Sequence, residues 1–310
     1  MSLAFLYAGQ GTQHPGMGAD LYERYPAFRS ALDGVCGEVD FDLKGTMFAD
    51  PGGVLNQTRY TQPCMVAFAA GMTAVLAQRG ICPDYAAGLS LGEYSALQCA
   101  GVLTQAQAVS LVAFRGWAME EAAAGKPCGM TAVLGLEREK LQTACDRASD
   151  AGVVVIANYN CPGQLVIGGE QGAVDKAAAL ARELGAKRCM PLKVSGPFHT
   201  PLMAPAGNAL REKFRETSFG EMGIPVLFNC LGREMGPEDT IPALLERQVQ
   251  SSVYMEDTIR RLAQLGVDTI VEIGPGKALS GFVRRTAPEV RTWAVETCDD
   301  VEALCAEWKG

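Results

Sequence analysis

Histidine is scarce in this 310-residue chain, and acidic residues outnumber basic ones. Only 2 histidines occur, and 27 lysines and arginines stand against 35 aspartates and glutamates, which gives a formal net charge of −8. This charge argues against general nucleic-acid binding, which needs a basic surface, and against anionic membranes. We therefore expect neither partner, and an acidic protein partner would need a local basic patch.

The chain also lacks the patterns of secreted, membrane-spanning and repeat proteins. Its 11 cysteines include no Cys-x-x-Cys pair, which excludes an obvious zinc site or disulfide framework and favours reduced thiols in a cytoplasmic protein. The longest apolar stretch, residues 64–77, is too short to span a bilayer. No basic n-region or cleavage signal follows Met1, so we expect no signal peptide. No coiled-coil or repeat pattern occurs, so we expect a monomer.

Short apolar runs alternate with helical patterns through most of the chain. Such alternation predicts an α/β fold with a parallel sheet covered by helices on both faces. The predicted strands are residues 3–7, 86–89, 226–228 and 269–273, and the predicted helices are residues 62–78, 104–124, 201–216 and 254–265.

The middle of the chain has a different order of elements. Strands are predicted at residues 130–135, 153–159, 165–168 and 187–192, with helices at 138–149 and 173–184. The order β-α-β-β-α-β is the ferredoxin-like pattern. We therefore predict a small ferredoxin-like domain, residues 125–192, inserted into a large α/β domain of residues 1–124 and 193–310.

The sharpest local motif is Gly88-Leu89-Ser90-Leu91-Gly92, which follows an apolar strand and precedes a helical pattern. This context is that of a nucleophile elbow, in which a strained turn exposes a reactive serine at a helix N-terminus. The N–H group of Leu91 could then stabilise a developing oxyanion. The alternative is a glycine-rich turn with a capping serine.

A nucleophilic serine needs a base, and the chain offers only His14 and His199. His199 lies in a loop just before a predicted helix, where functional side chains are common, so it is the favoured candidate. His14 lies in the glycine-rich loop after the first strand.

Two further features have both a functional and a structural reading. Gly9-Gln10-Gly11 lacks the phosphate-loop patterns. It either supplies a second N–H donor to an oxyanion hole or forms a simple turn. Arg115 lies in an otherwise apolar helix, where its planar fork could bind a carboxylate or could form a structural pair.

Together these segments resemble the malonyl-CoA:acyl carrier protein transacylase family. The motifs that carry the resemblance occur in the family's order over nearly the whole chain: Gly9-Gln10-Gly11-Thr12-Gln13, Thr61-Gln62-Pro63, Gly88-Leu89-Ser90-Leu91-Gly92-Glu93-Tyr94, Arg115-Gly116, Asn160-Cys161-Pro162-Gly163-Gln164, Phe198-His199 and Glu272-Ile273-Gly274-Pro275-Gly276. The resemblance implies an α/β-hydrolase-like large domain with the ferredoxin-like insertion.

The resemblance also implies a role for each matching residue. Ser90 would be the acylated nucleophile, His199 its base, Gln10 and Leu91 the oxyanion-hole donors, and Arg115 the ligand of the malonyl carboxylate. Gln62, Phe198 and Tyr254 would contact substrate, and a bulky Phe198 beside the base would favour malonyl over methylmalonyl. His14 falls where the family varies, which leaves it a structural or surface role.

The implied reaction is a ping-pong transfer of malonyl from malonyl-CoA to the phosphopantetheine thiol of holo acyl carrier protein. Neither a metal nor a resident cofactor is expected, because the substrates carry CoA and phosphopantetheine. Two alternatives remain open from the sequence: a serine acyl hydrolase on the same fold, and a non-catalytic module that docks carrier proteins.

The sequence departs from the family pattern at two places. Leu89 stands where the family usually has histidine before the nucleophile, and Ser252-Val253-Tyr254-Met255 replaces a Pro-Val-x-Trp segment. A main-chain carbonyl of this second region orients the histidine in relatives, so we expect that carbonyl near Tyr254.

Overall fold

The computed structural model describes residues 2–125 and 127–308. In chain order, the strands are β1 (Leu3–Tyr7), β2 (Tyr85–Gly88), β3 (Cys128–Leu134), β4 (Val154–Cys161), β5 (Gln164–Glu170), β6 (Arg188–Pro191), β7 (Leu227–Phe228), β8 (Arg233–Glu234), β9 (Val253–Tyr254), β10 (Thr269–Ile273) and β11 (Arg291–Val295). The α-helices are α1 (Ala19–Arg24), α2 (Pro26–Val35), α3 (Leu43–Phe48), α4 (Thr58–Gln78), α5 (Gly92–Cys99), α6 (Gln105–Ala123), α7 (Arg138–Ala148), α8 (Gln171–Glu183), α9 (Ala204–Arg215), α10 (Ile241–Val249), α11 (Met255–Gln264), α12 (Ala278–Thr286) and α13 (Cys298–Glu307).

The chain forms two compact units. Unit 1 contains Met1–Gly116, Thr217–Leu227 and Arg261–Gly310, and unit 2 contains Trp117–Glu216 and Phe228–Arg260. The domain boundaries at 125 and 192 stay a prediction, and residue 126, beside the first of them, lies outside the described residues.

Unit 1 is built on a parallel sheet with the strand order β11-β10-β1-β2. All five residues of β1 and all five of β10 are buried, because a parallel sheet covered on both faces has no solvent-facing side. The predicted α/β class with a parallel sheet is thus confirmed. Val226 adds an isolated parallel bridge to Ala86, and β7 pairs with β8 in a separate two-stranded sheet.

Helix α4 is the long central helix of unit 1. By length and composition it is the one helix in the described part of the chain that could cross a membrane, but 78% of its apolar window is buried inside the protein. Such burial is typical of a core helix. The helix begins at Thr58, ahead of the predicted start at residue 62.

Unit 2 is built on a five-stranded sheet with the order β6-β3-β5-β4-β9. Its first four strands are antiparallel, as in a ferredoxin-like fold, and helices α7 and α8 pack on them around Val133, Leu141, Ile167 and Val174. The short strand β9 joins the sheet parallel to β4, which the sequence analysis did not predict.

Candidate active site

Ser90 lies at the turn between β2 and α5, as expected for a nucleophile elbow. Its backbone has a φ of +53°, in the left-handed region that non-glycine residues rarely occupy. Among the described residues, only Asp50, Ser90 and His199 combine a side chain with a positive φ. Strain of this kind persists where the surrounding structure enforces it, and it concentrates at functional sites.

The glycines of the motif allow three backbone segments to meet at this turn. A Cβ atom on Gly88 would lie 2.1 Å from the carbonyl carbon of Gly92, and one on Gly92 would lie 2.2 Å from the carbonyl oxygen of Tyr7. A Cβ atom on Gly9 would lie 2.6 Å from the carbonyl oxygen of Leu89. The loop that carries Gln10 is therefore packed directly against the elbow.

Arg115 brings a buried positive charge to the Ser90 hydroxyl. The residue is 1% exposed; its Nη2 donates to Ser90 Oγ at 3.1 Å, and its Nη1 donates to Gln62 Oε1 at 3.0 Å. Burial lowers the pKa of Arg115, and nearby Tyr94 and Glu93 oppose that effect. An arginine guanidinium nevertheless remains protonated in proteins, so a fixed cation lies beside the nucleophile.

The Tyr94 ring also contacts this guanidinium. The Arg115 Cζ atom is 5.5 Å from the centre of the Tyr94 ring, within the range of a cation–π contact. Burial raises the pKa of the Tyr94 hydroxyl well above its usual value, so the ring stays neutral. The Tyr94 ring and the Gln62 amide thus hold the guanidinium beside the serine, where its positive charge can attract an anionic ligand.

Gln10 and Leu91, the predicted oxyanion donors, lie in the two backbone segments that meet at the elbow. The Gln10 side chain donates to Thr58 Oγ1 at 3.1 Å, which fixes the loop after β1 against the start of α4. Within residues 2–125 and 127–308, the main-chain N–H groups of Gln10 and Leu91 donate to no protein acceptor. Two uncommitted N–H groups beside a serine are what an oxyanion hole requires.

His199 belongs to unit 2 and is 4% exposed. Its backbone has a φ of +61°, and its Nδ1 atom lies 2.8 Å from the main-chain oxygen of Gln248. A carbonyl oxygen only accepts hydrogen bonds, so Nδ1 carries the proton of the neutral ring and Nε2 carries the lone pair. The histidine is thus held in the tautomer that a general base needs.

The carbonyl that bonds His199 is not that of Tyr254, near which the family resemblance led us to expect it. It belongs to Gln248, which lies at the C-terminal end of α10, where helix carbonyls have no partner within the helix. The Tyr254 N–H donates to the Asn229 carbonyl, and its ring stacks on Tyr159 with centres 4.9 Å apart. The sequence contained no side-chain signal for this carbonyl, because any residue at the helix end can supply one.

Phe198 is 8% exposed and directly precedes the histidine. Its ring packs against the backbone of Gly196, where an added Cβ atom would lie 3.1 Å from Phe198 Cε1 and 2.6 Å from the Ala123 side chain. The ring is therefore held in one place in unit 2, and its role in choosing the acyl group stays a prediction.

His14 is occupied elsewhere in unit 1. Its Nε2 atom lies 2.5 Å from Glu296 Oε1, its Nδ1 atom lies 3.0 Å from the Pro15 oxygen, and half of its side chain is exposed. The bond to Glu296 raises the pKa of His14, which favours its protonated form. A histidine committed to an ion pair is a poor general base.

Among the described residues, no group of three or more His, Cys, Asp or Glu could hold a metal.

Three features of unit 1 define its class: the parallel sheet, the strained serine at a strand-to-helix turn, and the buried guanidinium bonded to that serine. The class is that of α/β acyltransferases that use a serine nucleophile. The comparisons agree. The acyl transferase domain family matches residues 4–301. The malonyl CoA-acyl carrier protein transacylase of Bacillus subtilis is 39% identical over 97% of this chain and 95% of its own.

Solved structures give the same result. The MCAT of Streptococcus pneumoniae is 44% identical, with a TM-score of 0.95 over 99% of this chain and 100% of its own. A malonyl-transacylase in complex with a holo type II PKS acyl-carrier protein is 34% identical, with a TM-score of 0.95 over 99% of this chain and 100% of its own. The chain belongs to the malonyl CoA-acyl carrier protein transacylase family.

Proposed function

We propose that this enzyme moves a malonyl group from malonyl-CoA to the phosphopantetheine thiol of acyl carrier protein through a malonyl-Ser90 ester. The observation that carries the proposal is the 3.1 Å bond between Arg115 Nη2 and Ser90 Oγ. In a malonyl ester, one methylene separates the ester carbonyl from the free carboxylate. A buried cation beside the serine oxygen is therefore within reach of that carboxylate.

In the first half-reaction, His199 Nε2 accepts the proton of Ser90, and Oγ attacks the thioester carbonyl of malonyl-CoA. The N–H groups of Gln10 and Leu91 stabilise the tetrahedral oxyanion while Arg115 holds the malonyl carboxylate. The C–S bond then breaks, and His199 returns the proton to the CoA sulfur. The products are CoA and the malonyl-Ser90 ester.

In the second half-reaction, the thiol of holo acyl carrier protein replaces CoA. His199 accepts the thiol proton, and the sulfur attacks the ester carbonyl in the same oxyanion hole. Breaking the C–Oγ bond returns the proton to Ser90 and releases malonyl-carrier protein. All proton transfers are between these groups, so we propose that no metal or resident cofactor takes part.

The nature of the acceptor separates this proposal from an acyl hydrolase with the same serine and base. The relatives compared above carry the name transacylase, and one was solved with its acyl-carrier protein. Arg115 also favours the transferase, because its guanidinium is held on the Ser90 hydroxyl, and a hydrolase of neutral acyl groups would have no use for a carboxylate-binding cation there.

We further propose that the enzyme works as a cytoplasmic monomer. All 11 cysteines are free, and Cys82 is exposed, which suits a reducing compartment. The monomer predicts that the protein sediments as a single species of 32.9 kDa.

The experiment mixes the purified protein with malonyl-CoA, records the intact mass, and then adds holo acyl carrier protein. We expect a malonyl adduct that Ser90→Ala abolishes and that discharges mainly to the carrier. An adduct that decays to free malonate at the same rate with and without carrier would establish the hydrolase instead. Retained turnover in Ser90→Ala would mean that a contaminating enzyme supplies the activity, and would favour the non-catalytic module that docks carrier proteins.

A further inference from the structure

Thr200 follows His199 in the chain and is completely buried. Its backbone is extended, and it occupies the N-cap position of the short 3-10 helix Pro201–Met203. A threonine at this position usually turns its hydroxyl forward to accept from the N–H groups of the helix. Here the side chain makes no capping bond.

The hydroxyl instead bonds back across the histidine. Thr200 Oγ1 donates to the Pro197 carbonyl at 2.6 Å, and the Thr200 carbonyl accepts from the Met203 N–H at 3.0 Å. The first bond closes a turn whose third residue is His199, with its φ of +61°. A buried bond of this kind compensates the cost of holding a non-glycine residue in the left-handed region.

The methyl group of Thr200 is fixed as well. It packs over Gly168 in β5, where an added Cβ atom would lie 3.1 Å from Thr200 Cγ2. Hydroxyl and methyl are therefore held by different partners, a carbonyl on one side and a sheet strand on the other. The Thr200 rotamer is fixed, and the turn around His199 is fixed with it.

We infer that Thr200 is a positioning residue for the base. The turn closed by its hydroxyl sets the direction of the His199 ring, and the Gln248 carbonyl at 2.8 Å can hold the ring only in that direction. This inference rests on the proposed function, because it assigns His199 the role of base for both half-reactions. In this role Thr200 acts through the turn that it closes and not by contact with substrate.

The test compares Thr200→Val, which keeps the shape and removes the hydroxyl, with Thr200→Ser, which keeps the hydroxyl. The matched control is Thr258→Val, because Thr258 is also completely buried in unit 2 and donates a hydroxyl bond of 2.9 Å to a main-chain carbonyl, that of Tyr254. Each variant is assayed for kcat and KM of malonyl transfer and for melting temperature.

We expect Thr200→Val to lower kcat by about 10- to 100-fold, because a small displacement of a catalytic group is costly, and to leave KM for malonyl-CoA within about twofold. Thr200→Ser should restore kcat to near the parent value. Thr258→Val should lower the melting temperature by a similar amount without changing kcat. A purely structural Thr200 would give equal behaviour in the two valine variants, and that result would overturn the inference.

A second perturbation covers the case in which Thr200→Val does not fold. Gly168→Ala should lower kcat by pressing on the Thr200 methyl, and adding Thr200→Ser, which has no methyl, should restore it. No recovery in the double variant would contradict the inference. The proposed function and the role of Thr200 fail in different ways. If the parent protein forms no malonyl-Ser90 adduct, the proposed function is refuted. If the adduct forms equally fast in the parent and in Thr200→Val, only the role of Thr200 is refuted.

Discussion

Replacing Arg115 by alanine should change which acyl group the enzyme accepts. In the unacylated protein, Nη1 bonds Gln62 at 3.0 Å and Nη2 bonds Ser90 at 3.1 Å. We expect a malonyl carboxylate to take two charge-assisted hydrogen bonds from the same fork. Each such bond contributes roughly 1.5–3 kcal/mol.

The two bonds give an upper range of about 3–6 kcal/mol, but they replace bonds that the guanidinium already makes to neutral groups. The net loss should therefore fall near the lower end, which corresponds to about 100- to 1000-fold in kcat/KM for malonyl-CoA. Acetyl-CoA has no carboxylate to lose, so its kcat/KM should stay level or rise. Arg115→Lys should be intermediate for malonyl-CoA, because an ammonium keeps the charge without the planar fork.

The assay measures CoA release from malonyl-CoA and acetyl-CoA at limiting substrate with saturating holo carrier protein. Melting temperatures of the three proteins control for the loss of a buried side chain. We predict that Arg115→Ala changes the ratio of malonyl-CoA to acetyl-CoA turnover strongly. Equal losses for both substrates would mean that Arg115 supports the fold and does not recognise the carboxylate.

Three further substitutions, one of them with a matched control, test the acyl-group pocket, the elbow and the His14 ion pair. Phe198→Ser should raise the relative rate with methylmalonyl-CoA by roughly 10-fold or more, since one branch in such a pocket is worth about 1–3 kcal/mol; an unchanged ratio would count against the assignment. Gly92→Ala should yield unfolded protein, because its Cβ atom would lie 2.2 Å from a β1 carbonyl oxygen, whereas Gly281→Ala, which meets nothing within 4 Å, should fold normally. His14→Gln should lower the melting temperature in acid only. The bond to Glu296 raises the pKa of His14 above 6.5. The ion pair therefore stabilises the protein fully below pH 6.5, and this stabilisation disappears as the pH rises through the raised pKa. If the melting temperatures of the parent and His14→Gln differ by the same amount at about pH 5.5 and about pH 9, the prediction for His14 is contradicted.

The buried strands of unit 1 were readable from the sequence because their environment leaves a simple pattern. β1 and β10 match the predicted residues 3–7 and 269–273 at both ends, since both are continuous apolar runs bounded by turns. β11 has no such pattern: its first residue is exposed and the next three are half-buried, and it was missed. Strand β9 has only two residues, too few to show any periodicity.

The side-chain candidates of the site were visible in the sequence. A strand-to-helix turn with flanking glycines singled out Ser90, and an arginine in an apolar helix singled out Arg115; the two side chains meet in unit 1, and their roles stay predictions. Their contacts with Gln62 and Tyr94 required the packing of three helices, which no local pattern encodes.

The position of the histidine's partner could not be read in this way. A main-chain carbonyl exists at every residue, so its selection depends on where α10 ends relative to His199 and not on which amino acid is present. The partner of the Thr200 hydroxyl was not readable either. A threonine just before a helix is expected to cap it, but the Thr200 hydroxyl donates to the Pro197 carbonyl, which precedes it in the chain.

The most direct test of the central claim maps the acyl group to its residue. The protein is mixed with equal amounts of malonyl-CoA and acetyl-CoA, quenched in acid, digested and analysed by mass spectrometry at the peptide that contains Ser90. The account predicts a malonyl mass on Ser90 in the parent, little acetyl, and neither in Ser90→Ala. An acetylated Ser90 without malonyl, or a malonyl group on any other residue, would contradict it.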